Sequence, residues 1–153
     1  MPVTDEQART ALVLPVPEAA AIAPDAHIAL LDPFLPPGLI DEGVLGELRE
    51  FFADLVPFTF VLGEQARFPS GAAYLPPQPV GIFRRVIHEL RRTFPEVAGE
   101  ATTLDTFVPH LRIPDEALVT QPVEAHARET QLRVTGPEGT SVRATFRFGT
   151  SAA

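Results

Sequence analysis

The sequence predicts an α+β domain. Two long stretches carry apolar residues at helical spacing, several short runs carry strand-like patterns, and seventeen prolines separate them. Strands mixed with two helices around one core belong to that class. A chain of 153 residues suits a single domain spanning 1–153, which buries roughly 70% of the surface its unfolded form would expose.

The elements follow in order. Residues 11–16 (ALVLPV) are an apolar run ending at Pro15 and Pro17, which predicts an edge strand or a strand end. Residues 18–26 are rich in Ala and Pro and predict a loop or short helix. His27 to Leu31 (HIALL) predicts a compact strand, closed by Asp32-Pro33 and by the break at Pro36-Pro37-Gly38. From Leu39 to Leu55 the apolar residues Leu39, Ile40, Val44, Leu45, Leu48, Phe51, Phe52 and Leu55 recur at spacings of three and four, the stripe of an amphipathic helix. Residues 58–62 (FTFVL) and 72–75 (AAYL), with Pro69-Ser70-Gly71 between them, read as the two strands of a hairpin. Pro79 to Phe94 predicts the second helix, with Pro79 near its start and one stripe of Phe83, Val86, Ile87, Leu90 and Phe94. Residues 107–113 (FVPHLRI) predict a short strand, and 115–126 a loop or a short third helix. The runs 130–135 and 141–148 alternate around Gly136-Pro137-Glu138-Gly139 and predict a terminal hairpin.

Charge narrows the function classes. Twenty acidic residues oppose twelve basic ones, giving −8, and every basic residue is arginine. A grip on long nucleic acid needs many cations to displace counterions, so such a partner is not expected. A small phosphorylated ligand held by one or two arginines remains open. The absence of cysteine removes disulfides, thiolate zinc sites and a cysteine nucleophile. No apolar run approaches the roughly 18 residues of a membrane span. Asp5 and Glu6 stand where a secretory leader carries positive charge, so a cytoplasmic location without membrane contact is expected. Phosphate-binding loops, dinucleotide fingerprints, serine-nucleophile elbows and paired-histidine zinc motifs do not occur, and neither a cofactor nor a metal is expected.

Two of the four histidines share a local grammar. His27 and His110 each closely follow a proline and open a short apolar strand, with aliphatic residues at the first and third positions after them. Period-two alternation sends Ile28 and Leu30 to one face and His27 and Ala29 to the other. The same rule separates Leu111 and Ile113 from His110 and Arg112. Side by side, such strands present two imidazoles to one cleft. An imidazole titrates near neutrality, so one neutral and one charged ring make a general base and acid. His126 is expected to be exposed. Arg84, Arg85, His88, Arg91 and Arg92 form a basic, solvated stripe on the second helix.

The stretch DAHIALLDPFLPP (25–37), the helix after it, Arg67-Phe68 with Tyr74-Leu75-Pro76, and VPHLRI (108–113) together resemble the two-histidine (2H) phosphoesterases. These are the 2′-5′ RNA ligase-like and cyclic phosphodiesterase proteins. The resemblance covers about residues 10–150, with the two motifs 83 positions apart. It implies a bilobal fold with two pseudo-symmetric lobes, two small antiparallel or mixed sheets around a central cleft, and two long outer helices. It also implies metal-independent hydrolase chemistry on 2′,3′-cyclic phosphates or 2′-5′ linkages, with His27 and His110 as the acid–base pair. The family motif is His-x-Thr/Ser, twice. Here the hydroxyl positions are Ala29 and Arg112, giving His-x-Ala and His-x-Arg. Ala29 cannot donate a hydrogen bond, whereas Arg112 can bind an anion in bidentate fashion. Tyr74, Phe34 and Phe68 are expected near the cleft, and Asp32 is expected to face away from His27. Three readings follow. The first is a phosphoesterase with an altered phosphate site. The second is the same fold redirected to cyclisation, elimination or isomerisation of another small molecule in a biosynthetic pathway, and the third is a non-catalytic binding module. The physiological substrate and oligomeric state are not encoded in these patterns.

Overall fold

The computed structural model describes residues 8–95 and 109–149. Strand β1 (Arg9–Pro15) pairs antiparallel with β2 (His27–Leu31) on one side and with β9 (Glu129–Gly136) on the other. It is therefore an interior strand, not the edge strand or strand end expected from its prolines. Pro15 is its last residue, so the missing N–H falls where the ladder stops.

On the far side of β2 lies β7 (Leu111–Arg112), then β5 (Ala73–Leu75) and β4 (Ala66–Arg67). With β10 (Gly139–Arg147) outside β9, these make a seven-stranded sheet in the order β10-β9-β1-β2-β7-β5-β4. A smaller sheet has the order β6-β3-β8, from β6 (Pro77–Gln78), β3 (Phe58–Leu62) and β8 (Val123–Ala127). Every pairing is antiparallel.

The expected hairpin of 58–62 with 72–75 does not form, because the two runs lie in different sheets. The turn at Pro69-Ser70-Gly71 instead closes the tighter β4–β5 hairpin, pairing Ala66 with Tyr74 and Arg67 with Ala73. Gly71 takes φ 94° there, a conformation open to glycine at little cost. The stretch 115–126 is also corrected. Residues 123–127 are a strand whose Ala125 and Ala127 point inward, and alanine carries little strand signal. His126 is half-buried on it rather than exposed. Of the expected strand 107–113, residues 107 and 108 lie outside the described region. The terminal hairpin forms as expected, from Glu129 to Arg147.

Helix α1 (Glu42–Ala53) starts where Asp41 Oδ1 accepts the Val44 N–H at 2.9 Å, an N-cap that satisfies one orphan donor. It buries Leu45, Leu48 and Phe52, while Leu39 and Ile40 fall in the turn before it. Helix α2 (Val80–Thr93) buries Phe83, Val86, Ile87 and Leu90 and packs on β2. Phe52 stacks on Phe146 and Phe148, each with centroids 5.9 Å away, and Phe58 and Phe60 meet Phe83 edge to face. These rings join both helices and both sheets into one core. Among the described residues no helix is long and apolar enough to cross a membrane.

Candidate active site

The core requirement aims the candidate site. Ile28 and Leu111 are fully buried and pair directly, so the strands carrying the two histidines lie side by side. That register sets His27 across from Arg112 and Ala29 across from His110. His27 and His110 are then diagonal neighbours, a relation that in antiparallel sheets spaces residues by about 7–8 Å. Tyr74 pairs with Arg112 from the next strand. A cavity of about 300 Å³ opens on this face, lined by His27, Ala29, His110 and Arg112 together with Arg9, Leu30 and Asp32.

Each imidazole is held by a different device. Nδ1 of His27 donates to the Asp25 carbonyl at 2.8 Å, which leaves Nε2 as the atom that exchanges protons. The His110 ring meets the Phe68 and Tyr74 rings edge to face, with centroids 4.8 and 5.7 Å away. Phe68 and Tyr74 stack at 4.1 Å. This aromatic wall is tied to the loop after β7, because Arg67 donates to the carbonyls of Gly71 and Asp115 at 2.8 Å each. The Asp115 carboxylate accepts the Ala73 N–H at 3.2 Å and stands 3.6 Å from Arg112 Nη2. The Arg112 side chain is 58% exposed, so its guanidinium remains open to a ligand.

The expected site residues divide into three groups. His27, Ala29, His110 and Arg112 line the cavity together. Tyr74 and Phe68 stand behind His110 instead of lining it. Phe34 is a correction, since it is buried with its ring 5.1 Å from Phe94 in an edge-to-face contact, and is not among the lining residues. Burying a phenyl ring against α2 won over placing it at a rim. Asp32 is a second correction. Simple alternation turned it away, but β2 ends at Leu31, and Asp32 lines the cavity in an ion pair with Arg9. Arg9 was not singled out by the sequence. Its only local signal is the alternation Arg9, Ala11, Val13 on the face opposite Thr10, Leu12 and Leu14. Gln131 and Arg133, which gather with Asp25 behind His27, carry no signal as site residues in the sequence.

Comparison with known proteins adds the family context. Residues 15–139 match the model of the 2′-5′ RNA ligase superfamily. A solved Thermus thermophilus protein, TT0787, is 21% identical with a TM-score of 0.63, covering 94% of this chain and 99% of its own. A solved phosphoesterase is 15% identical with a TM-score of 0.61, over 92% and 98%. E. coli LigT complexed with NADP+ is 16% identical with a TM-score of 0.60, over 92% and 97%. No curated protein matches the chain.

Proposed function

The chain belongs to the 2′-5′ RNA ligase superfamily and has the LigT-like fold of the 2H phosphoesterases, and from that premise we propose that it cleaves a small phosphodiester or cyclic phosphate with His27 and His110 as its general base and general acid. The observation that carries this reading is the pair itself: two imidazoles on adjacent strands, lining one cavity that also holds Arg9 and Arg112.

On a 2′,3′-cyclic phosphate, water attacks phosphorus and gives its proton to Nε2 of His27 as the new P–O bond forms. The bond from phosphorus to one ribose oxygen breaks, and that oxygen takes a proton from His110. Solvent then returns the two rings to their starting states. Charged donors aimed at developing charge stabilise it, and Arg112 and Arg9 supply them. They stand in for the hydroxyls that Ala29 and Arg112 replace. General acid–base catalysis by two imidazoles requires no metal ion, so added chelator should leave the rate unchanged.

E. coli LigT has been solved with 3′-AMP and with ATP as well as NADP+, which makes nucleotides the first probes to use. Purified protein is incubated with 2′,3′-cyclic nucleotides and with 2′-5′ dinucleotides, and the products are separated by chromatography. Turnover of either substrate is expected. A second reading, redirection to a non-phosphate small molecule, draws support from the Asp32 carboxylate in the cavity, which repels the phosphodiester monoanion wherever Arg9 does not offset it. Absence of turnover on every phosphodiester offered would favour that reading.

A further inference from the structure

Two segments far apart in sequence, one bearing Asp25 and the other Gln131 and Arg133, converge behind His27. Asp25 has φ 60°, a left-handed conformation that Asp tolerates better than most residues but still prefers to leave. Its carbonyl is the acceptor for His27 Nδ1. Its carboxylate Oδ2 accepts from Arg133 Nη1 at 2.8 Å. Arg133 comes from β9, two strands from β2, and is only 9% exposed. Its Nε donates to Gln131 Oε1 at 3.0 Å, which fixes the plane of the guanidinium.

These contacts form a chain of constraint. The guanidinium is buried while the Asp25 side chain is 66% exposed, so Asp25 is the carboxylate that offsets a charge largely removed from water. The carboxylate is held by that pairing, and the residue that bears it is held in a conformation it would otherwise leave. Its carbonyl consequently stays aimed at the ring. Arg133 Nη1 itself stands 3.5 Å from His27 Nδ1, too far for a well-formed hydrogen bond, so the 2.8 Å carbonyl contact decides which atom carries the proton. Arg133 does not line the histidine cavity. Together with Asp25 and Gln131 it walls a separate one of about 440 Å³.

We propose that Arg133 is a positioning residue whose ion pair with Asp25 holds the carbonyl that fixes the Nδ1–H tautomer of His27 and keeps Nε2 facing the cavity. The proposal rests on the reading of His27 as the proton acceptor. It goes beyond that reading by placing a determinant of activity on β9, outside both histidine motifs.

The test compares wild type with Arg133→Met, Arg133→Lys and Asp25→Gly. Long-range 1H–15N spectra of the histidine rings, recorded where the imidazoles are neutral, report the tautomer without any substrate. Wild type should show His27 as a single tautomer protonated at Nδ1. Arg133→Met and Asp25→Gly should populate both tautomers, and kcat should fall by about 10–100-fold with KM within about twofold. Arg133→Lys should restore most of both readouts. Asp25→Gly keeps the backbone conformation, since glycine accepts φ 60°, and thermal unfolding of each variant identifies those that fold and count in the comparison. A ring that stays protonated at Nδ1 in every folded variant overturns the proposal. Should the wild type turn over no phosphodiester, the function proposed above fails, while the spectra still decide the role of Arg133.

Discussion

Replacing Arg112 with alanine separates binding from folding. Its ion pair with Asp115 spans 3.6 Å between side chains that are 58% and 60% exposed. Exposed pairs of this kind contribute about 0.2–1 kcal/mol. Arg112→Ala should therefore cost less than about 1 kcal/mol of stability, a shift of a few degrees in Tm for a domain of this size. A hydrogen bond to a charged group inside a cavity contributes more, about 1.5–3 kcal/mol. At tenfold per 1.4 kcal/mol, affinity for an anionic ligand should fall by about 10–150-fold. Calorimetric titration with 3′-AMP at low salt measures the loss, and thermal unfolding of the same samples measures the stability. The wild-type affinity should also weaken as salt screens the contact, and the variant should respond less. An affinity unchanged within twofold would refute the clamp. So would a stability loss of several kcal/mol, which would make Arg112 a structural residue.

Other outcomes follow from the same geometry. Ala29→Thr restores a hydroxyl on the cavity face across from His110 and should raise cyclic phosphodiesterase turnover. If that turnover stays at zero while a different native reaction is lost, the cavity serves another substrate. Phe52→Ala removes a fully buried ring stacked on Phe146 and Phe148, and urea unfolding should show a loss of about 3–5 kcal/mol. Gly149→Ala should destabilise the junction of β10 with α1, since a Cβ there would sit 1.9 Å from the Ala53 carbonyl oxygen. The same unfolding curves report it.

The features legible in the sequence are those whose signal is local. The helical stripes of α1 and α2, the alternation of β9 and β10 about their turn, and the strand at His27 all rest on spacing within one segment. The 2H phosphoesterase resemblance, carried by the two histidine motifs and their surroundings, is borne out by the family match and by the fold of the solved relatives. Strand order is not local. Phe58–Leu62 and Ala73–Leu75 look like partners because one turn separates them, yet the first pairs with β6 and β8 and the second with β4 and β7. The same limit governs the site. His27, Ala29, His110 and Arg112 reach one cavity because alternation is set residue by residue. Arg9 reaches the neighbourhood of His27 through the pairing of β1 with β2, and Arg133 through β9, whose pairing with β1 spans more than a hundred residues. Asp32 was misplaced because alternation stops counting where a strand stops.

Turnover of a 2′,3′-cyclic nucleotide by four proteins tests the central claim most directly: wild type, His27→Ala, His110→Ala and the double variant. Wild type should show a bell-shaped dependence of kcat/KM on pH, since one ring must be neutral while the other is charged. Each single variant should lose about 10²–10⁴ in rate, and the double should be scarcely slower than the poorer single, because the two rings act as a unit. Full activity in either single variant, or losses that simply multiply in the double, would contradict the account.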